Sequence, residues 1–333
     1  MQSVRTAVVP LQWARRLDNV YWPVVLWSAA AGGAGGLVGW ALAEPLVTPN
    51  SSEPTYAVYM GVARYFLVLS LAVGALLGGL PGVLNRSVRQ AVRGAVLAGL
   101  VGALGGALGA VPAQYLYNAL GAGILARALG WAFVGAAIGL CPGMVTRDRR
   151  RAVRGLVGGW TGGFVGGLLF DLIGALVLMA ATDTGTLNRF VADLVVGLSV
   201  GMMVALVEVA AKTAWLVAES GKRAGTQFIL SKDTTSIGRD DRDDVLLWGD
   251  PQMATRHARV LRSPDGFVLE RLSQEAPTLV NGRCWAGPTV LRDGDEIQLG
   301  STQFRFHTRR TPPVQDAPAG ELPRATGARG ANS

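Results

Sequence analysis

Four short motifs between Ser236 and Gly300 decide how the C-terminal part of this 333-residue chain folds. In chain order they read Ile237-Gly238-Arg239, Ala254-Thr255-Arg256-His257, Thr278-Leu279-Val280-Asn281-Gly282 and Asp293-Gly294-Asp295-Glu296-Ile297-Gln298-Leu299-Gly300. Other short apolar or alternating runs surround the motifs from Ala214 onward, and turn-forming residues separate one run from the next. Many short strands divided by turns are typical of a β-sandwich. The pattern therefore predicts an all-β domain at residues 213–309.

The order and spacing of these motifs resemble a forkhead-associated (FHA) domain, and the resemblance covers about residues 214–308. It implies a domain that binds phosphothreonine peptides through loops at one end of the sandwich. The candidate phosphopeptide contacts are Arg239, Thr255, Thr278 and Asn281, and the candidate braces of the binding loops are Gly238, His257 and Gly282. FHA domains usually have a serine three residues before the histidine, whose hydroxyl meets the phosphate. This chain has Ala254 there, so the adjacent Thr255 becomes the candidate hydroxyl.

The residue types also suit phosphate by their own chemistry. A guanidinium group binds a dianionic phosphate through charge-assisted bidentate hydrogen bonds, and Gly238 lets the backbone beside Arg239 come close to a ligand. Two structural alternatives stay open. Arg239 could instead pair with the acidic residues at 240–244, and Asn281-Gly282 is also the signature of a type I′ turn.

The composition of the chain indicates a membrane protein. Half of the residues are hydrophobic and 45 are glycine. The net charge of +8 comes from arginines that lie mostly between apolar segments, so we expect no nucleic-acid partner. The two cysteines, Cys141 and Cys284, are too far apart for a metal-binding motif or a disulfide framework. We expect no metal, no cofactor and no enzymatic activity.

Six apolar segments predict an α-helical bundle that spans the lipid bilayer within a membrane domain at residues 1–212. They lie near residues 20–43, 63–84, 91–111, 124–145, 153–181 and 191–211. The first segment follows Arg15-Arg16 and mimics a cleavable signal peptide, but its length favours an uncleaved anchor. Arginine-rich loops alternate with loops that carry few or no cations. The positive-inside rule then places both termini in the cytoplasm.

The spanning segments contain an internal repeat of a two-helix unit. Gly78, Pro81-Gly82 and the run at 91–94 recur 61 residues later as Gly139, Pro142-Gly143 and the run at 152–155. Helices six and one are candidates for a third, permuted copy. Small residues at every fourth position let helix backbones approach closely, so a glycine-rich face predicts a tight bundle and a possible homo-oligomer.

One acidic residue lies within a predicted span in a position that requires a partner. Asp171 falls in the outer part of helix five, and Arg64 and Arg127 lie near the outer ends of helices two and four. Because an unpaired charge is costly in lipid, we expect Asp171 to pair with Arg64 or Arg127. A proton relay would place acids nearer the middle of the membrane.

These observations predict a six-helix inner-membrane protein that presents an FHA-like domain to the cytoplasm and ends in a disordered tail at residues 310–333. Its partner would be a threonine-phosphorylated protein, which requires a Ser/Thr kinase in the same pathway. Two alternatives remain. The chain could be a channel or transporter regulated by its cytosolic domain, or Ala254 could leave a protein-binding module that does not depend on phosphate.

Overall fold

The computed structural model describes residues 21–47, 55–121, 123–178, 185–264, 266–274, 276–284 and 287–309. The predicted tail at 310–333 lies outside the described residues. Six helices in the described part are long and apolar enough to cross a membrane. They are α1 (Trp22–Ala43), α2 (Thr55–Leu84), α3 (Val88–Ala119), α4 (Ile124–Thr146), α5 (Arg149–Leu178) and α6 (Gly185–Ala210).

Two of the helices are longer than the apolar runs that predicted them. α2 begins at Thr55 and α3 continues to Ala119, whereas the apolar runs began near residue 63 and ended near residue 111. The added turns carry tyrosines, such as Tyr56 and Tyr115, that an apolar-run count leaves out. Tyrosine suits the boundary between lipid and water, so a helix continues through it without a break.

The six helices form a closed ring around an apolar centre. Each helix packs against the next one along the chain, and α6 returns to pack against α1. α2, α4 and α6 also contact one another. Their buried side chains fill the centre, and these are Leu69, Val73, Leu77, Val134, Ile138, Val196, Val200 and Val204.

Glycines set the spacing between paired helices. Gly78 of α2 lies against Gly94 of α3, and a Cβ on either glycine would overlap the other's carbonyl oxygen. Gly139 and Gly155 make the equivalent contact between α4 and α5, and Gly32 and Gly197 make it between α1 and α6. Such close backbones gain dispersion contacts that lipid cannot replace.

A second row of glycines on α5 packs against α6. The Cβ of a side chain at Gly158, Gly162 or Gly166 would lie 2.6 to 2.8 Å from the Cα atoms of Val204, Val200 and Val196, respectively. This row is therefore occupied by a helix of the same chain. Homo-oligomerisation through the glycine-rich helices stays a prediction.

The predicted partner of Asp171 is confirmed as Arg127. The two side chains form an ion pair between α4 and α5, and the Tyr117 hydroxyl accepts a further hydrogen bond from Arg127 (3.3 Å). A second pair joins Arg189 of α6 to Glu44, which follows α1 (2.6 Å). Each pair links two neighbouring helices.

The C-terminal region is a sandwich of two β-sheets, as predicted. Its strands are β1 (Ala214–Ala218), β2 (Gln227–Ile229), β3 (Thr234–Gly238), β4 (Val245–Leu246), β5 (Ala258–Ser263), β6 (Gly266–Arg271), β7 (Thr278–Val280), β8 (Arg283–Cys284), β9 (Thr289–Leu291), β10 (Glu296–Leu299) and β11 (Thr302–Thr308). One sheet has the order β2-β1-β11-β10-β7-β8, and the other has the order β4-β3-β5-β6-β9. Only β3 and β4 pair in parallel among the described strand pairs. Between the sheets lies a core that includes Leu216, Ile237, Leu269, Phe304 and Phe306.

The sandwich follows the last membrane helix almost directly. α6 ends at Ala210 and β1 begins at Ala214. Arg309, at the far end of the domain, donates a hydrogen bond to the carbonyl of Ala210 (2.7 Å). Both ends of the sandwich therefore meet the end of α6, which leaves the domain little freedom to move away from the bundle.

Candidate functional site

Arg239 lies at the end of β3, on a loop that rests against the loop before β5. The backbone N–H groups of Arg239 and Asp240 donate to the carbonyls of Ala254 and Thr255, at 3.3 Å each. Gly238 is buried, and a Cβ there would overlap the Asp243 carboxylate and the Thr255 carbonyl. Glycine at this position therefore allows the two loops to touch.

The Arg239 side chain is exposed and unpaired. It forms no hydrogen bond or ion pair with any residue that the structure describes. The alternative that Arg239 pairs with the neighbouring acids is therefore not what the structure shows. The guanidinium group remains open to a ligand.

The acids of the loop have other partners. Asp243 accepts from the Asp240 N–H (3.2 Å), and Asp240 accepts from the Arg242 N–H (3.0 Å). Asp244 accepts from the Ser236 N–H (3.1 Å) and forms an ion pair with Lys232. These bonds hold the shape of the loop that follows Arg239.

His257 is a buried brace between the two sheets. Its side chain is fully buried, its Nδ1 accepts from the Ala254 N–H (3.4 Å), and its Nε2 lies 3.1 Å from the Thr278 hydroxyl. Because an N–H can only donate, Nδ1 must be the acceptor, so the neutral ring carries its proton on Nε2 and donates to Thr278. Burial lowers the pKa of His257 below its usual 6.5, which favours this neutral form.

Thr278 belongs to the brace and does not face a ligand. It is 1% exposed, and its hydroxyl is bonded to His257. The prediction that Thr278 contacts the phosphopeptide therefore needs correction. The sequence places a polar residue there, but the burial of β7 under the histidine decides its role.

Asn281 and Gly282 form the tight turn between β7 and β8. Their φ angles are 51° and 74°, which a type I′ turn requires. The Asn281 amide donates to the Asp295 carboxylate (2.9 Å) and accepts from the Glu296 N–H (3.0 Å). The side chain is exposed but fixed in direction, so its remaining hydrogen-bonding capacity is preorganised.

Thr255 is exposed beside Arg239, whereas Ala254 has no group that could reach a phosphate. The Ala254 N–H is already used by His257. The structure therefore brings together the loops of Arg239 and Thr255 directly, and His257 with Thr278 connects them to the strand that leads to Asn281.

The membrane domain also touches this site, which the sequence reasoning missed. Ser87 precedes α3, and its hydroxyl donates to the Asp241 carboxylate (2.7 Å). The Gln90 amide donates to the Asp241 carbonyl (2.7 Å). Ser87 also accepts from the Gln90 N–H and so caps α3 (3.2 Å). The Ser-x-x-Gln pattern does predict a helix start, but it gives no sign of a contact with the distant sandwich.

Comparison with known proteins places the likeness in the C-terminal region. A family described as "Inner membrane component of T3SS, cytoplasmic domain" matches residues 219–310. The oxoglutarate dehydrogenase inhibitor of Corynebacterium jeikeium is 35% identical over 94 residues, which are 28% of this chain and 64% of that protein. The glycogen accumulation regulator GarA of Mycolicibacterium smegmatis is 34% identical over 96 residues, 29% of this chain and 60% of GarA. The chain thus spans less than two thirds of the length of these curated relatives.

Solved structures of FHA domains align with the same region. One, described as "Structural and functional analysis of phosphothreonine-dependent FHA domain interactions", has 23% identity and a TM-score of 0.27, and the match covers 30% of this chain and 99% of that one. Another, the N-terminal FHA domain of S. cerevisiae Rad53p with a phosphothreonine peptide, has 19% identity and a TM-score of 0.27 and covers 29% and 93% of the two chains.

Proposed function

Because the C-terminal region is an FHA-like domain, we propose that this protein binds phosphothreonine peptides and holds a phosphorylated partner at the cytoplasmic face of the inner membrane. Its work is binding and placement rather than catalysis. The observation that carries the proposal is the exposed, unpaired Arg239 on a loop fixed by Gly238 and His257.

The site offers three kinds of contact to a phosphothreonine. Arg239 supplies a bidentate charged donor, Thr255 supplies a hydroxyl, and Asn281 supplies an oriented amide for the peptide. Phosphorylation adds about two negative charges and three acceptor oxygens to a threonine, so a Ser/Thr kinase in the pathway would switch the contact on. Rigid loops favour binding because little conformational freedom is lost when the ligand arrives.

The packing of the sandwich against the bundle supports the orientation. The turn between α2 and α3 carries Arg86, the turn between α4 and α5 carries Arg147, and both turns contact or flank the sandwich. Cytoplasmic loops are richer in arginine than external ones. Both the arginine-bearing turns and the C-terminal domain would therefore lie in the cytoplasm, with the bundle integral to the membrane.

The repeat and its glycine contacts have a simple role in this proposal. The pairs α2–α3, α4–α5 and α6–α1 would be three copies of one glycine-zipper unit arranged around the apolar centre. A centre filled by leucine, isoleucine and valine suits an anchor better than a channel. Ala254 keeps the phosphate-independent module as the second candidate function, because the usual serine hydroxyl is missing.

The experiment is a binding titration of the full-length protein in lipid nanodiscs with matched threonine and phosphothreonine peptides. Losing a charged hydrogen-bonding group costs about 1.5–3 kcal/mol, so Arg239→Ala should weaken phosphopeptide binding roughly ten- to hundredfold. Arg259→Ala is the matched control, because Arg259 pairs with Glu270 on the same domain. Equal affinity for both peptides, or an equal loss in both variants, would sink the proposal and leave the phosphate-independent module.

A further inference from the structure

A second polar cleft lies where the sandwich meets the membrane domain. Its volume is about 330 Å³, and its walls are the 3₁₀ turn Gly221–Arg223, the segment 247–250 that follows β4, and residues 301–302 at the start of β11. None of these residues belongs to the Arg239 site. The cleft is therefore a separate candidate for ligand binding.

Three cations surround the indole ring of Trp248 on one wall. The Arg86 guanidinium carbon lies 5.0 Å from the ring centroid and the Lys222 ammonium lies 5.3 Å from it. Arg223 lines the cleft beside them. Burial, with a smaller contribution from the nearby Arg86, lowers the pKa of Arg223, which shows that its charge is poorly compensated.

The acid in the cleft does not balance these charges. Asp250 is the one acidic residue among the described residues that line it. Its carboxylate accepts from the Gln252 N–H (3.0 Å), the Ser301 N–H (3.0 Å) and the Thr302 hydroxyl (2.9 Å). Asp250 is thus committed to holding the loop and leaves the cleft with an excess of positive charge.

Two buried donors on the walls of the cleft have no hydrogen-bond partner in the described part of the chain. They are Nη1 of Arg223 and Nε1 of Trp248. The other terminal nitrogen of Arg223 donates to the Asn85 amide oxygen (3.0 Å). Buried donors without acceptors are rare because each one costs desolvation energy, so two of them in one cleft call for an acceptor that a ligand supplies.

The position of the cleft narrows the ligand further. Asn85 and Arg86 lie in the turn between α2 and α3, which are both candidate membrane spans. The cleft therefore opens near the level of the lipid headgroups, where basic residues and tryptophan favour anionic groups and the interface, respectively. A phosphate oxygen matches both the charge and the missing acceptors.

We propose that this cleft binds a phosphate-bearing anion, whose oxygens accept from Arg223 and Trp248 and whose charge is offset by Arg86 and Lys222. Two sources carry this chemistry: the headgroup of an anionic phospholipid in the adjacent leaflet, and a soluble phosphate. The proposal does not depend on phosphopeptide binding by the Arg239 loops.

The test uses the purified full chain with two probes. In one arm, native mass spectrometry counts phosphatidylglycerol molecules that stay bound after detergent extraction, with phosphatidylcholine as the reference. In the other arm, inorganic phosphate is titrated and the thermal midpoint is followed, in both the wild type and Arg239→Ala so that the peptide site is accounted for. Retention of phosphatidylglycerol identifies a lipid site, and stabilisation by phosphate alone identifies a soluble ligand.

Lys222→Gln and Trp248→Phe should each weaken binding of the effective probe about tenfold, since one removes a charge and the other removes only the indole N–H. Arg89→Gln is the control, because Arg89 is exposed on the first turn of α3 near Arg86. It should leave binding unchanged, and phosphothreonine-peptide affinity should survive Lys222→Gln. The proposal is overturned if neither probe binds, or if Arg89→Gln weakens binding as much as Lys222→Gln does.

Discussion

Arg239 and His257 belong to the same pair of loops but meet opposite environments. Arg239 is exposed without a partner in the described part of the chain, whereas His257 is fully buried and bonded at both ring nitrogens. Changes at Arg239 should therefore affect binding with little effect on stability. Changes at His257 should affect stability first.

The buried histidine makes the sandwich sensitive to acid. Because the folded-state pKa of His257 lies below its unfolded value of 6.5, the unfolded chain binds more protons just below that pH. Stability is therefore complete above pH 6.5 and falls as the pH drops toward the folded-state pKa. The measurement is the thermal midpoint of the sandwich transition in the full chain, followed from about pH 7.5 to about pH 5.

His257→Gln is the matched variant for that measurement, since an amide can replace both hydrogen bonds but does not titrate. The variant should lose less stability than the wild type on acidification. Identical slopes in the two proteins would mean that His257 does not titrate on unfolding as argued.

At the scale of helices and strands, local sequence pattern was informative and tertiary contact was not. Apolar runs predicted all six helices, and alternating runs with turns predicted the sandwich, because both patterns report burial along a single element. The Asn281-Gly282 turn was equally local, and its φ angles follow from the residue types. The burial of Thr278 and the bonds from Ser87 and Gln90 to Asp241 depend on elements far apart in the chain. No local pattern carries that information.

The contacts between helix backbones make a sharp prediction for glycine. Gly155 of α5 lies so close to Gly139 of α4 that a methyl group would overlap the Gly139 carbonyl oxygen. Gly155→Ala should destabilise the bundle by about 1–3 kcal/mol, the usual cost of overpacking. The measurement is the thermal midpoint of the detergent-solubilised protein.

Gly61→Ala is the control on another helix. A Cβ at Gly61 meets nothing within 4 Å, so this change should be neutral or slightly stabilising through helix propensity. If Gly155→Ala were as stable as Gly61→Ala, close backbone contact would not be what holds the helix pair together.

At the scale of the whole molecule, the bundle and the sandwich form one connected unit. Ser87 and Gln90 bond the loop beside Arg239, and Arg309 bonds the end of α6. The recognition loops are therefore held against the membrane domain. A partner bound there would be placed close to the bilayer.

Cys284 gives a direct way to measure both the orientation and the ligand. It is exposed on β8, next to the Asn281-Gly282 turn, whereas Cys141 is buried in α4. A membrane-impermeant maleimide should therefore react selectively at Cys284, and a ligand at the turn should slow that reaction.

The decisive measurement is the rate of Cys284 labelling in inside-out membrane vesicles, with either a phosphothreonine peptide or the same peptide unphosphorylated. We expect rapid labelling that the phosphorylated peptide alone slows, and no labelling in sealed right-side-out vesicles. Labelling from the outer face, or equal protection by both peptides, would contradict a cytoplasmic phosphothreonine site.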